Sequence, residues 1–128
     1  MAYRSDVKIV MKKADFVDLL FKMDELNEET AYNKDLLDYA EQKDTPQNGV
    51  ILSWDYIKWD ECTDEAVEYI MNYLSELKSP YRFIRIGEGY RTDTDIEEYD
   101  HYEDVKDLDF INQINWRLDI TEHIIEEE

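Results

Sequence analysis

The stretch VILSWDYI, residues 50–57, limits what this chain can fold into more than any other. Read with a period of two, Val50, Leu52, Trp54 and Tyr56 fall on one side, and Ile51, Ser53, Asp55 and Ile57 on the other. A side made of four large apolar residues must leave water, so the segment is a strand in a sheet with a further layer over it. Segments of helical period flank it and can supply that layer. Phe16, Leu19, Leu20, Met23 and Leu26 repeat at helical spacing behind Asp15, an N-cap candidate, with Asp18 three positions on. Leu36, Leu37 and Tyr39 continue the helical pattern after a break near residues 28–33, and Pro46, Asn48 and Gly49 then supply a turn. A second helix is predicted behind Thr63, with Ala66, Val67, Ile70, Met71, Tyr73, Leu74 and Leu77 as its apolar stripe, stopping before Pro80.

Further strands follow from the same alternation. Residues 3–12 set Val7, Ile9 and Met11 against Asp6, Lys8 and Lys12, with Val10 breaking the pattern. Tyr81, Phe83 and Arg85 alternate against Arg82, Ile84 and Ile86; a short extended piece is expected at Ile96–Tyr102; and Ile114, Trp116, Leu118 and Ile120 point inward along a last strand. This order predicts an α+β two-layer sandwich: a four- to five-stranded mixed sheet with two to three helices on one face. The first two strands would be joined by a right-handed parallel crossover and the last two by an antiparallel hairpin. The 128 residues are the length of one domain, 1–128, in which 92–109 is an acidic connection with room to move.

Charge narrows function more than motif does. Thirty-three acids against fourteen bases leave a net charge of −19. Residues 92–128 hold 14 acids and 2 bases, against 19 acids and 12 bases in residues 1–91, so about two thirds of the excess sits in the last part of the chain. Such a surface repels nucleic acid and anionic membranes and attracts basic proteins. No apolar run is long enough to cross a membrane, and the opening residues lack the apolar core of a secretory signal. The single cysteine, Cys62, excludes an internal disulfide and suits a reducing cytoplasm.

No catalytic or phosphate-binding motif occurs, which argues against an enzyme and against a cofactor. Cys62 lies in WDECTDE, where neighbouring acids disfavour a thiolate. Asp93, Asp95, Glu97 and Asp104 fall near positions one, three, five and twelve of a calcium loop, but Glu98 occupies the place that requires glycine. One Cys with the separated His101 and His123 cannot form a structural zinc site. Nine of the eighteen residues from Thr92 to Asp109 are acidic, yet Ile96, Tyr99, Tyr102, Val105, Leu108 and Phe110 recur among them, so the segment is expected to pack and hold its acids in a fixed negative surface. The contact surface read from this pattern is Asp93, Asp95, Glu97, Glu98, Asp100, Glu103, Asp104, Asp107 and Asp109, helped by Glu126, Glu127 and Glu128, with Trp59 and Tyr99 as aromatic anchors. An extended strand with alternate acids presents a charge every ~6.6 Å, against one per ~1.7 Å along duplex DNA, so imitation of a nucleic acid would need further acids from elsewhere in the fold.

The opening MAYRSDVKIVMKK, with ILSWDYIKWDE and YRFIRIGEG…DIEEYD further on, resembles a loose group of small acidic proteins encoded by bacteriophages. The matching pieces are spread over about a third of the chain. The resemblance implies expression in a bacterial cytoplasm and carries over no functional residue. The function expected is a non-enzymatic inhibitor of a basic host protein, a nucleic-acid enzyme or a defence factor, reached by fast, salt-sensitive association. Direct binding of nucleic acid or membrane is not expected, and the protein is read as a monomer or dimer. The alternative is a self-associating accessory phage protein. A third reading is an enzyme or small-ligand binder that uses the Trp54–Trp59 region with Arg82 and Arg85, a basic pocket suited to an anionic ligand such as a nucleotide.

Overall fold

The computed structural model describes residues 5–29, 35–59, 65–87 and 96–114. Five strands form one sheet: β1 (Ser5–Lys12), β2 (Glu41–Thr45), β3 (Gly49–Ile57), β4 (Tyr81–Gly87) and β5 (Ile96–His101), in the order β2-β3-β1-β4-β5. Helix α1 (Lys13–Glu29) follows β1, α2 (Glu65–Glu76) precedes β4, and a short α3 (Leu108–Ile111) follows a 3₁₀ turn at Val105–Asp107. The α+β class and the five-stranded sheet expected from the strand and helix periods are observed, but the helices lie on both faces of the sheet and not on one, because Val10, Ile84 and Ile86 give the second face an apolar patch to cover.

Every strand pairing among the described residues is antiparallel, so the expected parallel crossover is replaced by β1 meeting β3 and β4 head to tail. The reason lies in residues 41–45, whose polar EQKDT has no apolar alternation. They form an exposed strand that turns directly into β3. Of the helical continuation predicted over residues 33–42, the described part is a 3₁₀ turn at Asp35–Leu37 followed by the start of β2 at Glu41. Asp15 lies in the first turn of α1, which starts two residues before it, where a carboxylate complements the helix dipole. Lys13 opens the helix by donating its N–H to the Asn48 carbonyl at 2.9 Å. The predicted N-cap Thr63, Cys62, His123 and all but the first residue of the strand expected from Ile114 to Thr121 lie outside the described residues; Ile114 itself is buried but is not in a strand.

The main core lies between the sheet and the two long helices. Val7, Ile9, Met11, Leu52 and Phe83 are sealed beneath Leu19, Val67, Ile70 and Leu74. The helices are held to each other at the surface by the Tyr73 hydroxyl of α2, whose one hydrogen is shared between the Asp15 carbonyl (3.1 Å) and Asp18 Oδ2 (2.9 Å) of α1; within α1, Lys22 pairs with Asp18 at 3.4 Å. Burial first, then the hydrogen bond to Asp18 and the charges of Asp18 and Asp15, push the Tyr73 hydroxyl far above its ordinary pKa.

Val10, the residue that broke the alternation, is fully buried because β1 is the central strand and both its faces are covered. Opposite the long helices, Val10, Ile84 and Ile86 form a smaller core with Phe110, Ile111 and Ile114, which places α3 on the other face of the sheet from α1 and α2. A register shift between Ser5 and Val7 sets Ser5 opposite Ile57 and Val7 opposite Trp54. This irregularity reverses the parity of the end of β3, so Ile57 packs with the main core, not with Ile51 as strict alternation predicts.

Candidate partner-binding edge

Strand β5 builds the described part of the acidic region. Its partner β4 sets Phe83 opposite Tyr99, Ile84 opposite Glu98 and Arg85 opposite Glu97. The two-residue period then distributes the acids: Glu97, Tyr99 and His101 share the face of the long helices, while Glu98 and Asp100 share the face of α3. Residues 96–101 are thus an ordered strand, and a calcium loop would have required a tight turn in that place. Among the described residues no group of three or more His, Cys, Asp or Glu could hold a metal ion.

Two of the predicted contact acids are bound inward by arginines. Arg85, with a side chain 11% exposed, donates from Nη2 to Glu97 Oε1 at 2.9 Å and from Nη1 to the buried Ser5 hydroxyl at 2.8 Å. On the opposite face Arg82 donates from Nη1 to Asn112 Oδ1 at 2.9 Å and to the Ile114 carbonyl at 3.3 Å, with Glu98 Oε1 3.5 Å from Nη2. A half-buried guanidinium needs such partners, since its charge is costly to desolvate alone. Glu97 and Glu98 therefore fasten β5, and on the α3 face also the segment through Ile114, to β4. The shared basic pocket expected of Arg82 and Arg85 does not form, because neighbouring strand parities send them to opposite faces and each is matched by an acid.

The remaining described acids face water. Asp100, Glu103, Asp104 and Asp109 are exposed and Asp107 is partly so. Asp104 caps the 3₁₀ turn by accepting the Lys106 N–H at 3.1 Å, and its other oxygen lies 3.4 Å from Lys106 Nζ. Glu103 lies 3.7 Å from His101 Nε2. Burial and the Asp100 carboxylate push the Tyr81 hydroxyl above its ordinary pKa. Asp93, Asp95, Glu126, Glu127 and Glu128 lie outside the described residues.

The aromatic anchors divide. Trp59 is 9% exposed and sits in the main core, its ring 5.1 Å from Trp54 and 6.0 Å from Phe83, so it is a packing residue and not a surface anchor. Trp54 is buried too, its indole N–H bonded to the Leu36 carbonyl at 2.8 Å. Tyr99 stacks on Phe83 at 5.8 Å and leaves half its surface in water. The row Trp54–Trp59–Phe83–Tyr99 thus crosses the helix-side face of the sheet and emerges at its β5 edge. Tyr102 (42% exposed) and Val105 (75%) follow in the turn beyond. The recurrence of apolar residues through the acidic region included both, but gave no sign that they would stay exposed while Phe110 was buried.

Comparison with family models, curated proteins and solved structures finds no match to the chain. No helix among the described residues is long and apolar enough to cross a membrane. The functional reading rests on the chemistry of this edge.

Proposed function

We propose that the chain is an acidic binding protein that engages a basic protein through β5 and the turn that follows it. The observation that carries this reading is the arrangement of β5. Inner arginines fix the strand, while Asp100, Glu103 and Asp109, with half of Tyr99, stand in water. An ordered acidic surface with an aromatic residue in it loses little entropy on docking and steers a basic partner by charge. The finer reading takes the partner as a bacterial nucleic-acid enzyme or defence factor and the acids as occupants of its phosphate-binding groove. It draws on the net charge of −19 and on the resemblance to acidic phage proteins, which also suggests a bacterial cytoplasm as the setting.

The test is capture from bacterial lysate at low salt by the wild-type chain and by a triple variant, Asp100→Asn, Glu103→Gln, Asp109→Asn. Glu97 and Glu98 are left intact because they hold the strand. A basic protein retained by the wild type, released by raised salt and lost by the triple variant with an unchanged circular dichroism spectrum is the expected result. Displacement of that protein by duplex DNA supports the phosphate-groove reading. Equal capture by the variant would sink the assignment.

A second reading, self-association, is favoured by Val17 and Phe21. They stand 48% and 67% exposed at positions i and i+4, on one side of α1. Sedimentation decides it: a salt-insensitive dimer that dissociates on Phe21→Glu supports a contact between copies through that helix.

A further inference from the structure

Helix α1 buries Phe16, Leu19 and Met23 in the main core, yet Val17 and Phe21 stand 48% and 67% exposed on its outer side. With Ala14, also exposed, and Asp24 they are spaced three, four and three residues apart, the period of a seam that meets another helix. The charges beside this seam are sorted by end. Lys13 lies at its start, and Asp24 and Glu25 lie at its finish. The other base of the helix, Lys22, is engaged elsewhere: its Nζ lies 3.4 Å from Asp18 and 5.2 Å from the centre of the Tyr73 ring of α2.

We propose that this side of α1 receives α1 of a second copy of the chain, antiparallel, across a two-fold axis. This rests on the self-association reading given above and adds the orientation of the two helices and the charges that set it. Reversal places Val17 of each copy against Phe21 of the other, and Ala14 against Asp24. Lys13 and Asp24 are eleven residues apart, three turns and about 20° more, so they lie on the same flank of the seam. The antiparallel pair therefore brings each Lys13 to the Asp24 of the other copy, and the symmetry makes this contact twice. A parallel pair would set Lys13 against Lys13 and Asp24 against Asp24. The helix dipoles favour the same choice, because each positive N-terminus meets a negative C-terminus. Lys13 Nζ is already 3.2 Å from Asp44, but both side chains are exposed and an ammonium has three donors, so it can hold a second carboxylate. A helix whose base stands at one end and whose acids stand at the other is complementary to its own reversed copy, which selects that copy over a basic partner.

The experiment is sedimentation equilibrium of the full chain at one fixed salt concentration, for the wild type, Phe21→Glu, Lys13→Glu, Asp24→Lys and the double variant that exchanges the two charges. The wild type is expected to dimerise and Phe21→Glu to be monomeric. Each single charge variant replaces two attractive contacts by two repulsive ones and is expected to weaken the dimer at least about ten-fold. The double variant is expected to return to within about three-fold of the wild type. Asp24→Lys is the most telling, since it lowers the net charge from −19 to −17 and by overall repulsion alone would strengthen association. Both charge changes suit the helix dipole, so circular dichroism spectra are expected to stay unchanged. A dimer broken by Phe21→Glu but indifferent to the charge changes, or not restored by the double variant, would overturn the antiparallel arrangement and leave self-association through α1. A dimer that survives Phe21→Glu would overturn the choice of helix. A monomeric wild type would remove the arrangement and the self-association reading together.

Discussion

At Gly49 the absence of a side chain is a packing requirement. A Cβ there would collide with Thr45 Oγ1 and Phe110 Cε2, and would come within 2.9 Å of Phe110 Cζ. The ring it would displace covers Val10 and carries Lys12 Nζ 4.3 Å from its centroid. Gly49→Ala is expected to lower stability by about 1–3 kcal/mol, as overpacking does, read as a lower urea midpoint at unchanged slope. Arg85→Ala is expected to cost about 1–3 kcal/mol by leaving the buried Ser5 hydroxyl and Glu97 without their donor, whereas Asp109→Asn should stay within about 0.5 kcal/mol. Thermal melts of these two variants in parallel separate the acids and bases that hold the fold from those that face the solvent. None of this contrast was legible in the acidic stretch itself. In one dimension Glu97 and Asp109 are equivalent, and they differ only because β4 sets an arginine opposite one of them.

Among the elements, those with strong apolar periods were readable and those without were not. β1, β3, β4 and the two long helices followed from their spacing, and so did the extended piece at Ile96–His101. β2 escaped because an exposed edge strand needs no apolar face. α3 escaped because four residues cannot show a helical period. The end of β3 was misassigned by one position because a register irregularity cannot be seen as a change in composition. The clamp between α1 and α2 has a pH signature. Tyr73 has a folded-state pKa raised above its unfolded value near 10, so its contribution is fully present below pH ~10 and is lost as pH rises through the folded value. Tyr81 shifts in the same direction. Stability is therefore expected to decline above pH ~10. Tyr73→Phe should cost about 0.5–1.5 kcal/mol at neutral pH and make that decline shallower, checked by urea unfolding from pH 8 to 11.

For the whole molecule, a net charge of −19 on 128 residues means that folding compresses like charges. Raising salt from ~20 to ~300 mM shortens the screening length several-fold and is expected to raise the melting temperature. The same change should weaken binding to a basic partner, so stability and affinity should respond to salt with opposite sign. A protein whose acids served only to keep it dispersed would show the first response without the second. The α+β class and the extended piece at Ile96–His101 were legible from the chain. The division of the acidic region into an inner, arginine-bound part and an outer, exposed part required the sheet.

The second core also sets an order of assembly. Val10 is made about a hundred residues before one wall of its surroundings, Phe110, Ile111 and Ile114. As the protein is synthesised, the central strand can acquire its helices and its neighbours β3 and β4 while its other face still lies open. Among the described residues, the cover for that face is the segment that follows the acidic strand. A chain ending before Phe110 would keep an apolar strip of Val10, Ile84 and Ile86 on an otherwise anionic body, the kind of surface on which incomplete chains aggregate. The region that carries the proposed partner-binding edge thus leads into the segment that covers this face of the sheet, so the edge and the cover of Val10, Ile84 and Ile86 are completed together.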